Sequence, residues 1–383
     1  MKQQILLGFL ALSFLYSCKK TSMDNTEQEP VVLLSESKID ETIRREIETR
    51  GSFNWNYHSA SMVWSALQHS DNVLSVGYKP EALEGGVDAI LHTIDIQSDE
   101  WREAREVLLQ QILAKEKELD NTLTLDKMVP WEETVLPVFN ITVKNPATVT
   151  MLRASKLVRY AEPMGYEPRD IMERVMSSSG CDNSPTYNLM ANSDYTVIAP
   201  NSKQSWNYGY HKIPQAWAKS TGAGVKVFIV DTGSENDQEN LGSAFNQGLS
   251  SGRTIEKMVT LPRPTFFGIP TGPVETPDDG CGHGTSMAGA CAAPRGTDGN
   301  SCGVAYNANL VTCRASTDVL FDESREAKGV ADAFVKAGGR ADVKIISMSM
   351  GRITTNSQVA EFFDKIYQLA IKEPPIEALR HQG

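Results

Sequence analysis

Two short stretches of the chain hold the residue types from which acid–base chemistry is built. Val225–Gly233 (VKVFIVDTG) is an apolar run with a single lysine, which is typical of a strand buried on both faces of a parallel sheet. Asp231 ends that run, and open α/β sheets place their chemistry at the carboxyl ends of such strands. Further along, His283 lies between Gly282 and Gly284, ahead of a run of small residues (TSMAGACAA) that predicts a helix packed closely behind the imidazole.

Asp-Thr-Gly followed by His-Gly-Thr-x-x-Ala-Gly resembles the subtilisin-like serine proteases, the subtilase or peptidase S8 family. The resemblance implies an α/β fold with a parallel sheet and helices on both faces. It also implies Asp231 as the orienting acid and His283 as the general base. In that chemistry the histidine takes the proton of a serine hydroxyl and returns it to the leaving amine, while the carboxylate fixes the tautomer of the imidazole.

A further buried strand (VKIISMSM) leads into the residues that the resemblance assigns to substrate binding. Ser349, Met350 and Gly351 match the piece that forms one wall of the subtilase substrate channel and pairs with the peptide backbone. This would be recognition by strand addition. The alternative is a plain core strand followed by a turn.

The nucleophilic serine that the family requires has no candidate in the sequence. Ser286 stands in Gly-Thr-Ser-Met-Ala, which resembles the family motif Gly-Thr-Ser-x-Ala-x-Pro, but Ala290 occupies the place of the proline. The family serine follows its histidine by roughly 150 residues, and its oxyanion asparagine lies in an Ala-Gly-Asn sequence. The chain ends at Gly383 before either, and two adjacent prolines after Glu373 argue against a central strand there. We therefore expect an incomplete sheet without the C-terminal strands, and no peptidase activity from this chain alone.

The first residues predict export. Ile5–Tyr16 is apolar, too short to span a bilayer and long enough for a signal peptide. Leu-Tyr-Ser-Cys18 resembles a bacterial lipobox, in which the cysteine is lipidated and becomes the mature N-terminus. An ordinary secretory signal with an incidental cysteine is the alternative. We expect a protein exported to the bacterial cell envelope and lipid-anchored at the outer membrane or cell surface.

A smaller α+β domain is expected ahead of the catalytic motifs. It closes with a strand at Val138–Val143, a helix capped by Asn145 with Pro146 at its first position, and a strand at Lys156–Ala161. This order resembles the end of subtilase propeptides, which assist folding of the protease and then block its cleft; an unrelated accessory domain is the alternative. The expected order is a signal peptide at 1–17, a tether at 18–30, the propeptide-like domain at 31–165, a maturation linker at 166–205 and the N-terminal part of the catalytic domain at 206–383.

Four cysteines flank the predicted catalytic histidine: Cys281, Cys291, Cys302 and Cys313. In an exported chain they predict a local disulfide staple, and Cys181 leaves the count odd once Cys18 is set aside. Their spacing matches no zinc motif, and no acidic loop indicates calcium. No metal or other cofactor is therefore expected.

Charge limits the partners of this chain of 383 residues. Its formal net charge of −11 argues against nucleic acid and against charge-driven binding to an anionic surface. The expected partners are polypeptide substrates, the propeptide-like domain as an intramolecular inhibitor, and a membrane through the lipid anchor only. The predicted function is that of a serine endopeptidase by family. The alternative is a non-catalytic, surface-anchored binding or inhibitor protein that retains a propeptide-like domain.

Overall fold

A computed structural model describes residues 30–84, 86–169, 181, 188–266, 269–372 and 377–380. Cys18, with the predicted signal peptide, lies outside the described residues. From Val31 onward the chain forms one compact unit. No helix in the described part of the chain is long and apolar enough to cross a membrane.

The N-terminal α+β region begins with an antiparallel sheet and the helices that cover it. The sheet has the order β2-β1-β3, so β1 is central. Asn145 caps the last of these helices by accepting from the backbone N–H of Ala147, and Pro146 follows it, as predicted. The elements are α1 (Glu36–Arg50), α2 (Ala60–Gln68), β1 (Val73–Tyr78), α3 (Asp99–Glu116), α4 (Leu125–Met128), β2 (Val138–Thr142), α5 (Pro146–Ala154) and β3 (Val158–Pro163).

A second, parallel sheet follows in the order β12-β11-β6-β10-β7. Two small hairpins, β4–β5 and β8–β9, lie outside it. The elements are β4 (Tyr195–Ile198), β5 (Ser202–Ser205), α6 (Asn207–Tyr210), α7 (Ile213–Trp217), β6 (Lys226–Asp231), β7 (Ile255–Val259), β8 (Thr265–Phe266), β9 (Ile269–Pro270), α8 (His283–Ala292), β10 (Asn309–Arg314), α9 (Ser324–Gly338), β11 (Ile345–Met348), α10 (Ser357–Lys372) and β12 (Glu377–Arg380).

Strand β6 is buried on both faces, as its apolar run predicts. Phe228 and Val230 belong to one hydrophobic cluster, whereas Val227 and Ile229 belong to another, because successive side chains of a strand point to opposite faces. Helices α9 and α10 pack on the first face and α8 on the second. The predicted parallel sheet with helices on both faces is confirmed.

The first cluster also contains the core of the N-terminal region. Residues of β1, β2 and α3 belong to the same contiguous set of buried side chains as those of α9 and α10. The antiparallel sheet is therefore packed against the two helices that cover one face of the parallel sheet.

The end of the chain differs from the expectation. Glu377–Arg380 forms β12 and pairs in parallel with β11 at one edge of the sheet, where we expected no strand. The difference has a simple reason: the two prolines precede this strand and do not interrupt it.

Candidate active site

Asp231 and His283 are brought together at the carboxyl end of β6. Asp231 is the last residue of that strand and is 1% exposed, and His283 is the first residue of α8. Nδ1 of His283 lies 2.8 Å from Oδ1 of Asp231, which is hydrogen-bond distance. With the proton on Nδ1 the imidazole donates to the carboxylate, and Nε2 is left as the basic nitrogen. None of the described residues hydrogen-bonds that Nε2.

Glycines allow this close approach. A Cβ at Gly284 would lie 2.4 Å from the carbonyl oxygen of Gly233, so the start of α8 rests directly on the turn after β6. Gly282 has φ of 88° and Gly233 has φ of 118°, conformations that other residues rarely adopt. The Gly-His-Gly and Asp-Thr-Gly sequences are thus explained by backbone packing as well as by chemistry.

The environment of the pair favours a protonated imidazole. The hydrogen bond that His283 donates to Asp231 raises the pKa of the imidazole, while partial burial acts in the opposite direction. The negative charges of Asp279 and Asp318 add to the rise. A histidine in this position can accept a proton and hold it as an ion pair with the buried carboxylate.

Asp279 was not among the predicted site residues. Its carboxylate is 3% exposed, and it accepts hydrogen bonds from Thr232 Oγ1 at 2.8 Å and from the backbone N–H of Thr285 at 2.8 Å. It thereby connects the turn after β6 to the first turn of α8. Its sequence signal, an aspartate four residues before the histidine, is visible only once the histidine has been singled out.

Ser286 forms no hydrogen bond with the imidazole of His283. Its hydroxyl donates to the carbonyl oxygen of Gly282 at 2.9 Å, and its exposed side chain lines a cavity of about 560 Å³ with Asn207, Tyr208 and Asn240.

Ser349, Met350 and Gly351 follow β11, the neighbour of β6 in the sheet. Met350 packs against the hydrophobic core. The N–H of Gly351 donates to Val319 O at 3.0 Å, and its carbonyl accepts from the N–H of Phe321 at 3.2 Å. A substrate that paired with Gly351 would have to replace these bonds, and the substrate-binding role stays a prediction.

The disulfide prediction requires a correction. Cys281 is bonded to Cys181, while Cys291, Cys302 and Cys313 are free thiols. The local staple is wrong because its members lie on different sides of the sheet: Cys313 belongs to the core cluster under α9 and α10, whereas Cys291 packs with the cluster under α8. The observed bond joins Cys181 to Cys281, which lies two residues before His283 in the sequence.

The N-terminal region supplies carboxylates to the starts of two helices. Asp71 accepts from the N–H and the hydroxyl of Ser324, at 3.1 and 2.7 Å, where α9 begins. Glu162 accepts from the N–H of Ser357 and, at 3.0 Å, from its hydroxyl, where α10 begins. Carboxylates at helix N-termini satisfy free N–H groups and interact favourably with the helix dipole.

The chain just after β3 reaches the residues next to Gly351. Glu167 is buried, pairs with Arg352 at 2.7 Å, and accepts from the backbone N–H of Thr354 at 2.9 Å. Arg352 also donates to the carbonyl oxygen of Met164 at 2.8 Å. The end of the N-terminal region is therefore bound beside the predicted substrate wall.

No group of three or more histidine, cysteine or acidic side chains in the described ranges is arranged to hold a metal ion.

Comparisons with known proteins agree with the motifs. Residues 222–374 match the model of the subtilase family, Peptidase_S8. Thermitase from Thermoactinomyces vulgaris is 29% identical over 157 residues, which is 40% of this chain and 47% of thermitase. The chain thus spans about half the length of that relative.

Two solved structures are also similar to this chain. A mutant of the epidermin leader peptide processing serine protease from Staphylococcus aureus has 15% identity and a TM-score of 0.43, covering 80% of this chain and 60% of its own. Fervidolysin from Fervidobacterium pennivorans, a keratinolytic enzyme related to subtilisin, has 18% identity and a TM-score of 0.42. The match covers 78% of this chain and 38% of fervidolysin.

Proposed function

We propose that this chain, whose residues 222–374 form a domain of the subtilase family, carries the acid and the base of a serine endopeptidase. The observation that carries the proposal is the 2.8 Å contact between Nδ1 of His283 and Oδ1 of buried Asp231. The motifs on both sides of this contact are those of the family. Polypeptides are the proposed substrates.

In the proposed reaction His283 takes the proton of a serine hydroxyl at Nε2 as the oxygen adds to the peptide carbonyl. Asp231 stabilises the imidazolium that forms, and the proton then passes to the leaving amine. Water hydrolyses the resulting ester with the same histidine as base. Because no serine in the described residues is hydrogen-bonded to Nε2, we propose that the 383-residue polypeptide alone does not hydrolyse peptides.

The N-terminal region is proposed to act as an intramolecular inhibitor and folding aid. Three observations support this: Asp71 and Glu162 accept hydrogen bonds from the first residues of α9 and α10, the buried cores are continuous, and Glu167 binds Arg352 beside Gly351. A segment held at that place would compete with a substrate for the wall at 349–351. Lipid anchoring through Cys18 and a place in the cell envelope belong to the same proposal.

The test is to sequence the gene through and beyond the codon for Gly383 and to assay the encoded product on a denatured protein substrate. We expect a frame that continues into a Gly-Thr-Ser-x-Ala-x-Pro motif and a product with peptidase activity. In that product Asp231→Asn and His283→Gln should each lower kcat by about 10⁴-fold or more. Ser286→Ala, with its hydroxyl on a carbonyl of its own helix, should leave kcat unchanged.

A stop codon directly after Gly383, with no activity in the product, would overturn the proposal. The non-catalytic alternative would then be tested by adding the 383-residue protein to an intact subtilase. Tight inhibition would support a binding or inhibitor protein.

A further inference from the structure

The carboxylate of Asp279, in the loop between the Asp-Thr-Gly and Gly-His-Gly sequences, accepts five hydrogen bonds. Oδ1 accepts from Thr232 Oγ1 at 2.8 Å and from the N–H groups of Cys281 and Gly282 at 3.0 and 2.8 Å. Oδ2 accepts from the N–H and the hydroxyl of Thr285 at 2.8 and 2.7 Å. Asp279 is 3% exposed, and no ion pair to it is formed within the described ranges. Hydrogen bonds from these donors offset the free-energy cost of burying its charge.

The hydroxyl of Thr232 continues this arrangement toward the catalytic pair. It donates to Asp279 and accepts from the backbone N–H of Gly284 at 2.9 Å, so it joins the loop, the turn after β6 and the start of α8. A second acceptor, Oδ1 of Asp231, lies 3.4 Å from the same hydroxyl. Since a hydroxyl has one proton, the nearer Asp279 keeps that proton away from the carboxylate oxygen on which His283 depends.

The packing leaves little freedom for compensation. Gly284 rests on the backbone of Gly233, so α8 cannot move toward β6. Loss of the Asp279 contacts would free the turn formed by Cys281 and Gly282 and the first turn of the helix. The turn directly precedes His283, and the first turn of the helix includes it. A backbone rotation in either segment would therefore change the distance between Nδ1 of His283 and Asp231.

We infer that Asp279 is a positioning residue, which holds Thr232 and the first turn of α8 so that His283 keeps its hydrogen bond to Asp231. The inference rests on the proposed function of that pair. Asp279 touches neither the imidazole nor a reacting atom, and it acts through Thr232, Gly282 and Thr285. Its charge has a second consequence, because it is one of three carboxylates, with Asp231 and Asp318, that favour the imidazolium.

The experiment uses the full 383-residue chain with histidines labelled in the imidazole nitrogens. NMR reports the titration midpoint of His283 and the low-field resonance of its Nδ1–H, assigned by its loss in His283→Gln. In Asp279→Asn we expect the low-field resonance to broaden or disappear and the midpoint to fall. An amide in this place turns two of its hydrogens toward the donors of Thr285 and carries no charge.

Asp278→Asn is the matched control. Asp278 lies in the same loop and accepts from the N–H of Asn236 at 2.9 Å, but its side chain makes no hydrogen bond to α8. We expect it to leave both readouts of His283 unchanged. If Asp279→Asn does not fold, Thr232→Val removes the same relay with a side chain of the same shape, and the same loss of the resonance is expected.

A folded Asp279→Asn protein with an unaltered resonance and midpoint would overturn the inference. Failure of the proposed function has a different signature, which Asp231→Asn reveals. If His283 in the parent protein behaves as it does in Asp231→Asn, the acid–base pair itself does not exist in solution. If the parent protein shows the hydrogen bond between His283 and Asp231 and Asp279→Asn has no effect on it, the acid–base pair is supported and the positioning role of Asp279 is refuted.

Discussion

Glu162 offers a sharp test of how the N-terminal region is held, through the change Glu162→Gln. Its side chain is fully buried at the start of α10, where it accepts from the N–H and the hydroxyl of Ser357. Burial raises the pKa of Glu162 from 4.5 to about 7, although the bonds from Ser357 oppose the rise. In the folded protein the carboxyl group therefore keeps its proton over a pH range in which the unfolded chain has released it.

The sign of the effect on stability follows from proton binding. Because the folded pKa is the higher one, the contribution of Glu162 is fully present below about pH 4.5 and is lost as the pH rises through about 7. That difference in pKa corresponds to about 3 kcal/mol of unfolding free energy. Glutamine has nearly the same shape and does not titrate. We expect Glu162→Gln to equal the parent protein near pH 4 and to be more stable by up to about 3 kcal/mol near pH 8.5.

Urea unfolding of both proteins at the two pH values measures this, since all other titrating groups are shared and cancel in the difference. Glu103→Gln, on the exposed face of α3, is the control, because it makes the same change of side chain where neither form is buried. A difference that does not change with pH would refute the reasoning. A variant that is less stable than the parent near pH 8.5 would show that the start of α10 holds Glu162 ionised.

Three further predictions concern other parts of the structure. Cys181→Ser opens a loop with a sequence separation of 100, so urea unfolding should show a loss of about 4 to 5 kcal/mol. The reduced parent should match it, and an unchanged midpoint would contradict the bond. Gly284→Ala places a Cβ 2.4 Å from a backbone oxygen and should cost about 1 to 3 kcal/mol in thermal unfolding. Gly289→Ala in the same helix meets nothing within 4 Å and should gain up to about 1 kcal/mol; equal effects would rule out close packing at 284. Maturation is expected within the linker at 166–205: after a cut before Cys181 the N-terminal region should separate on a gel without reductant, whereas after a cut beyond Cys181 it should separate only once the disulfide is reduced.

The elements with strong local signals were predictable from the sequence. The helix capped by Asn145 and the buried strand ending at Asp231 both lie within a few residues of their expected limits. Apolar periodicity, caps and prolines are read from neighbouring residues, so no knowledge of the fold is needed.

The central strand of the N-terminal sheet, β1, was not predicted. Val73–Tyr78 contains Ser75 and Gly77, and its strand state depends on pairing with β2 and β3 far along the chain. Gly77 is also required there, because a Cβ would lie 2.3 Å from the ring of Tyr160. Contacts of this kind are set by the tertiary structure and leave little trace in the local sequence.

The candidate site divides in the same way. The contact of Asp231 with His283 follows from two motifs, whereas Asp279 and the partner of Cys281 depend on loops that only the folded chain brings together. Spacing alone cannot determine disulfide connectivity. The carboxylates at the starts of α9 and α10 were missed for the same reason, since each meets its serine across the interface between two regions.

The way the N-terminal region is attached explains why its departure would need a trigger. Its core is continuous with that of α9 and α10, so leaving exposes apolar surface and two helix starts at once. Glu162 lowers the cost of that step only when it ionises, that is, as the pH rises through about 7. After β3 the chain is held at two points. Glu167 binds Arg352, next to Gly351, through a hydrogen-bonded ion pair, and Cys181 is joined by a disulfide to Cys281, close to His283. If the proposed maturation cut fell between these two anchors, the disulfide would no longer hold the N-terminal region, and ionisation of the buried Glu162 would favour its release.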